Sequence, residues 1–233
     1  MQPDLTRGTL CAPFNLSNKE LETLSTRIRR KVFEVCLNAE NGHVGGSSGA
    51  VELMSTLYFG GVLRFNPADS QDDSRDRVLV RGHLGPVRYS IFSEIGFISE
   101  EELKTYRTFG SRLQGHEDHT MTPGVDLTPS GSMGMLLSYG IGAAVAARQE
   151  GKQFRTFVFI GDGEEQDRAH GDYIGAGRCD CNHFCHGLYL DSVVWAKMCT
   201  NCQVLHVIHD AREFVKVTRS RCRNRESHYR SLS

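Results

Sequence analysis

The chain has no apolar stretch long enough to span a bilayer, and its first residues, MQPDLTRGTLCAPF, lack an apolar segment behind a basic start. These two absences predict a cytoplasmic protein with no membrane partner. Net charge is nearly absent as well. The 27 lysines and arginines against 28 aspartates and glutamates leave a formal charge of −1, so no global field points to nucleic acid. No internal repeat and no low-complexity segment is visible. What remains is a chain of 233 residues, long enough to bury a sizeable core as one large domain or two small ones.

Cysteine is sparse in the first part of the chain and concentrated in the last. Cys11 and Cys36 stand alone, whereas Cys179, Cys181, Cys185, Cys199, Cys202 and Cys222 all follow Gln166. So do His170, His183, His186, His206, His209 and His228. The composition changes character at Gln166, and this placement says more than the number of cysteines does.

Before that point the pattern alternates between helix and strand. Ser17 and Glu20 form a capping-box signal, and Leu21, Leu24, Ile28, Val32 and Val35 recur at helical spacing up to residues 38–42. The glycine-rich segment 42–49 (GHVGGSSG) reads as a loop carrying His43 between two helices. The second helix covers 50–63, with Val51, Met54, Leu57 and Tyr58 on one face. Residues 66–77 are polar and turn-rich and lead into a short strand, Val78, Leu79 and Val80, that ends in Arg81, Gly82 and His83. Ser99 and Glu102 cap a further helix that sets Leu103, Tyr106 and Phe109 facing one way. Residues 110–132 read as loop and hold His116, TPGV at 122–125 and a glycine turn at Gly131. The small and apolar run 133–148 predicts a helix packed on a sheet, with Gly140 and Gly142 permitting close approach. A strand follows at 155–160 (RTFVFI). Helices alternating with short apolar strands predict an α/β fold with a parallel sheet flanked by helices.

That last strand runs into Gly161, Asp162 and Gly163, then Glu164, Glu165 and Gln166. In an open α/β sheet, ligands bind at the strand ends. Glycines there let a diphosphate approach the backbone while an aspartate holds its metal. A lone GDG reads more simply as an Asp-Gly turn. His43, His83 and His116 change the balance, because each lies in a glycine-containing loop able to reach the sheet end that carries Asp162. One loop histidine is ordinarily a solvated residue. Three neutral imidazoles can donate to diphosphate oxygens, orient a hydroxyl and shuttle a proton near neutral pH.

Taken in order, these motifs make residues 18–166 resemble the cofactor-binding N-terminal domain of transketolase. The matching features are Gly42 and His43, DRVLVRGH at 76–83, Gly115 and His116, TPGVD at 122–126 running into Gly131, Ser132, Met133 and Gly134, and GDG at 161–163. The resemblance implies thiamine diphosphate with Mg²⁺ as cofactors in a thiamine-diphosphate-binding fold. Asp162 would coordinate the Mg²⁺, a hard cation suited to carboxylate and phosphate oxygens, and Gly161 and Gly163 would meet the diphosphate. Gly131, Ser132 and Met133 would line the cofactor. His83 would contact diphosphate or substrate, and His43 and His116 the two-carbon unit in transit. The absence of a pyrimidine-binding domain implies the split form of the family. In that form this subunit moves a two-carbon ketol unit between sugar phosphates only together with a C-terminal, pyrimidine-domain partner, as a hetero-oligomer or dimer, and is incomplete and inactive alone. Another thiamine-diphosphate synthase, such as a deoxyxylulose-phosphate synthase, is the nearest alternative; TPGV leading into a Gly-x-x-Gly turn favours transketolase. A non-catalytic remnant or a zinc-binding interaction protein is the alternative of another class.

The family pattern stops inside a motif. Asp167 stands where the resemblance calls for a glutamate, and the asparagine pair expected some thirty residues past GDG is replaced by Leu190, Asp191, Ser192 and Val193, with Asn182 and Asn201 misplaced. Three readings compete for 167–233. One is a soft-metal module built from Cys179, Cys181, Cys185, His186, Cys199 and Cys202. A second is a diverged α/β continuation with 204–208 (VLHVI) as its next strand. The third, which the abrupt change of composition favours, is sequence foreign to the family, such as a shifted reading frame or a fused fragment. The basic end with Arg219, Arg221, Arg223, Arg225 and Arg230 has no interleaved aromatics and reads as a solvated, disordered tail rather than a nucleic-acid site. The expected organisation is an extension at 1–17, the transketolase-like domain at 18–166 and a divergent tail at 167–233.

Overall fold

The computed structural model describes residues 11–126, 134–159, 193–198 and 205–207. Helix α1 is Asn18–Asn38, with the Ser17 N–H donating to Glu20 Oε2 at 2.8 Å as the capping box requires. Its buried stripe, Leu24, Ile28, Val32 and Val35, packs on α3 (Val51–Phe59) and α4 (Gly85–Ile95). At roughly 1.5–3 kcal/mol for each fully buried aliphatic side chain, this stripe alone fixes which way α1 faces.

Several segments depart from the sequence reading, two of them next to α1. The glycine-rich stretch expected to be loop contains α2, Val44–Gly49, with His43 as its N-cap residue. A tertiary contact overrides the poor helix propensity of its glycines: the fully buried Ser47 donates its hydroxyl to the His83 carbonyl at 2.9 Å. The second departure is α4 itself, a helix to which no periodicity points. Residues 85–92 are buried on every side, so no polar face exists to reveal the period.

The helix expected after Ser99 is a single turn, α5 (Glu100–Leu103), with Ser99 Oγ accepting from the Glu102 N–H at 3.0 Å. Leu103 and Tyr106 are buried as expected, but Phe109 is fully exposed. Arg107 at φ 60° turns the chain out of helical geometry before Phe109 can join them.

The sheet is ordered β1 (Arg77–Val80), β2 (Thr156–Phe159), β3 (Val193–Met198), β4 (Leu205–Val207). The first three are parallel, with Val80 opposite Phe159 and Thr156 opposite Val193, and β4 is antiparallel to β3. The strand read at 204–208 is thus present as β4, while β3 was not anticipated. Both faces of the β1 and β2 pair are covered, which is why each strand is apolar after its first residue, Arg77 in β1 and Thr156 in β2. Val78, Val80, Phe157 and Phe159 join the core under α1, α3 and α4, whereas Leu79 and Val158 meet Leu136 of α6 (Met135–Gln149) on the other side. A Cβ on Gly140 would stand 2.4 Å from Val158 Cγ2, so this residue permits the close approach expected of it. Gly142 does not, since it is exposed with nothing beside it.

Buried carboxylates lock the sheet. Asp76 has a fully buried side chain and accepts from the Arg64 and Arg155 backbone N–H groups at 3.0 and 2.8 Å and from their guanidinium groups at 2.9 and 2.6 Å. Asp126, from the TPGVD motif, accepts from Arg75 Nη1 at 2.7 Å and from the Val78 N–H at 3.1 Å. Among the described residues, no helix is long and apolar enough to cross a membrane.

Candidate active site

Strand β1 leaves the sheet through Arg81 and the 3₁₀ turn Gly82–Leu84, which presents His83. The Arg81 N–H still bonds the Phe159 carbonyl at 3.2 Å, so β1 and β2 end at the same edge. This edge is the place where open parallel sheets bind ligands. His43 arrives at the start of α2 and His116 from the loop after α5. Their ring centroids lie 4.6 Å apart for His43 and His83, 5.6 Å for His43 and His116, and 5.9 Å for His83 and His116. The three histidines that the sequence singled out are therefore one cluster.

Its geometry depends on neighbours with no motif to mark them. A Cβ on Gly82 would fall 2.5 Å from His116 Cγ, so the turn must be bare for the imidazole to lie over it. The Ser47 bond to the His83 carbonyl ties α2 to the turn at 2.9 Å. Arg107 links the other two loops: its Nη1 donates to Asn41 Oδ1 at 2.9 Å just before His43, and its backbone N–H bonds the Leu113 carbonyl at 2.9 Å just before His116. Sequence reasoning missed Asn41, Ser47 and Arg107, because a residue that bridges loops carries no periodic signal.

Two of the three imidazoles, His43 and His116, are biased to the uncharged form. Burial pushes the His43 pKa below the usual histidine value, and His83, His116 and Arg107 add repulsion. Burial also lowers that of His116, followed by His83 and Arg107. His43 Nδ1 is buried without a hydrogen-bond partner. Near neutral pH these two rings can therefore accept or donate a proton at a bound oxygen.

Directly after His116, Glu117 turns inward to the fully buried Arg88, with Arg88 Nη1 3.0 Å from Glu117 Oε1. Arg88 also donates to the Val78 carbonyl at 2.7 Å and the Gly124 carbonyl at 3.1 Å, so one side chain braces α4, β1 and the loop after α5 behind the site. Glu117 Oε2 has no partner, and burial pushes the carboxyl up to about 7, with Arg88 pulling the other way and Asp126 adding to the rise. A carboxyl whose folded pKa is raised is bound more tightly as the protonated form. Its contribution to stability is complete below its unfolded value near 4.5 and is lost as the pH climbs through about 7. Glu117→Gln has no such proton to lose. We expect the variant to gain on the native protein by up to about 3 kcal/mol across that window in denaturation curves taken at several pH values. A difference that stays flat with pH would show that the buried pair is ionised throughout.

Gly131, Ser132, Met133, Gly161, Asp162 and Gly163 lie outside the described residues, as do the cysteines and histidines after residue 166 apart from His206. The backbone of His206 lies in β4.

Residues 22–168 match the family model described as the thiamine diphosphate binding domain of transketolase. The chain is 39% identical over 156 residues to an apulose-4-phosphate transketolase subunit of Actinobacillus succinogenes, covering 65% of this chain and 55% of that one. The protein of the same name from Phocaeicola vulgatus is 35% identical over 146 residues, covering 62% and 51%. The chain thus spans about half the length of these relatives. The crystal structure of transketolase from Campylobacter jejuni superposes with a TM-score of 0.62 at 24% identity, covering 66% of this chain and 25% of that one, which bears on the fold alone. With the matched region spanning the histidine cluster and the sheet edge, the chain belongs to the transketolase thiamine-diphosphate-binding domain family.

Proposed function

We propose that this chain is the N-terminal subunit of a two-part transketolase, acting on sugar phosphates together with a pyrimidine-domain subunit in the cytoplasm. The convergence of His43, His83 and His116 where β1 and β2 end is the observation that carries the reading. The relatives named as transketolase subunits, about half of whose length this chain spans, support the division into two chains.

The described part of the site suits thiamine diphosphate: a partnerless buried nitrogen on His43, two imidazoles biased to the neutral form, and the exposed His83 and His116 rings offer hydrogen bonds to phosphate and hydroxyl oxygens. Bound there, thiamine diphosphate supplies the carbanion-stabilising ring by which a two-carbon ketol unit passes from one sugar to another. His83 would hold diphosphate or substrate oxygen. His43 and His116 would orient substrate hydroxyls and move protons at them, a role for which a near-neutral base is suited. Gly131, Ser132, Met133, Gly161 and Gly163 would line the cofactor, and Asp162 would hold Mg²⁺ through a carboxylate oxygen.

Calorimetric titration of the chain with thiamine diphosphate and Mg²⁺, in the presence of the partner subunit, tests this. We expect saturable heat for the native protein and at least about a hundredfold weaker binding for Asp162→Ala. Equal binding by both would remove Asp162 from the site, and no binding by either would remove the cofactor. Turnover by the isolated chain would refute the need for a partner. The divergence after Gln166 is carried forward as sequence foreign to the family, to be checked in the coding nucleotides for a one-base shift near codon 167.

A further inference from the structure

A second ligand class follows from the histidines alone. All three offer a ring nitrogen, and these atoms lie within 4.8 Å of one another. Hard cations such as Mg²⁺ take oxygen donors, whereas three imidazoles with no carboxylate among them match a borderline ion, zinc above all. Zinc bonds nitrogen at about 2.0–2.1 Å, which sets tetrahedral ligands about 3.3 Å apart. The cluster is looser than that, and two of its members can close the gap: His83 and His116 are exposed, so their rings are free to rotate inward, while His43 is half-buried and held at the start of α2. The unpartnered His43 Nδ1 is an independent sign of a missing ligand, since a buried polar atom is ordinarily satisfied. The exposed face leaves room for water as the fourth ligand.

We propose that His43, His83 and His116 form a zinc site that fills when the cluster holds no other ligand. An ion held there ties up the three imidazoles, so zinc and the cofactor-bound substrate exclude each other. That last clause alone rests on the thiamine diphosphate reading; the zinc site itself does not.

Cobalt titration of the chelator-treated full chain provides the test, followed by displacement with Zn²⁺. The tail's cysteines are the competing ligands, and thiolate ligation announces itself by charge-transfer absorption that imidazole ligation lacks. In a background of Cys199→Ala with Cys202→Ala, we expect one equivalent of Co²⁺ to bind without that absorption and to be displaced by Zn²⁺. His43→Ala, His83→Ala and His116→Ala should each weaken binding by at least about tenfold. Truncating the exposed His83 or His116 leaves the core untouched, so thermal melting should match the parent and separate lost ligation from lost fold. No uptake, uptake unchanged by the histidine substitutions, or uptake abolished by the cysteine pair would each overturn the proposal.

Discussion

Asp76→Ala is expected to cost about 3–5 kcal/mol of folding stability. The carboxylate is fully buried and bonded to the backbone N–H groups and guanidinium groups of both Arg64 and Arg155. Arg155 immediately precedes β2 and Asp76 immediately precedes β1, so these bonds fasten the two strands at the edge opposite the histidines. Alanine would leave two largely buried cations facing each other with no anion between them, together with two backbone donors lacking acceptors. The loss is a large part of the roughly 5–15 kcal/mol that holds a typical domain together. Urea denaturation is the direct measurement. A midpoint close to that of the native protein would mean that water replaces the carboxylate at little cost, and the lock would be no lock. Asp76→Asn should fall between the two, since it keeps an acceptor and loses the charge.

Gly82→Ala is expected to do the reverse, sparing the fold and removing the site. The new methyl group would stand 2.5 Å from His116 Cγ, 2.6 Å from Nδ1 and 2.7 Å from Cδ2. The His116 ring is exposed and can swing away, so we expect less than about 1 kcal/mol lost from stability. Misplacing a reacting group by about 1 Å costs on the order of a hundredfold in rate, and that is the loss expected in kcat/KM once the partner subunit is present. The same displacement should loosen the proposed zinc site. A crystal structure or imidazole proton shifts of the variant would report the ring directly. Full activity with a displaced ring would take His116 out of the mechanism.

The two substitutions differ in how far each was readable beforehand. Asp76 and Gly82 both fall in DRVLVRGH, which the sequence marks as a motif for the site. The structure divides that motif between bracing by Asp76 at one end of β1 and the histidine cluster at the other. TPGVD, also read as a site motif, is seen in a bracing role: Asp126 holds the start of β1 through Arg75 and the Val78 N–H. Phe109 failed for a local reason. Its helical spacing with Leu103 and Tyr106 is real, but α5 stops at Leu103 and the left-handed residue Arg107 then redirects the chain before Phe109 can share their face.

The sequence by itself determined the local elements and their order. The capping box and apolar stripe of α1, the apolar runs of the two strands and the five motifs in family order are patterns over neighbouring residues, and neighbouring residues are what a helix or strand brings together. Tertiary structure alone decided what distant neighbours do to one another. It made a helix of a glycine-rich segment by burying Ser47 against the His83 turn, and it hid α4 from any periodic reading by burying it on all sides. It drew three loop histidines into one cluster because β1 and β2 run parallel and in register to a common edge. It pushed Glu117, one residue from His116, up to about 7 by removing it from water. Burial and long-range proximity are properties of packing, and no window along the chain contains them.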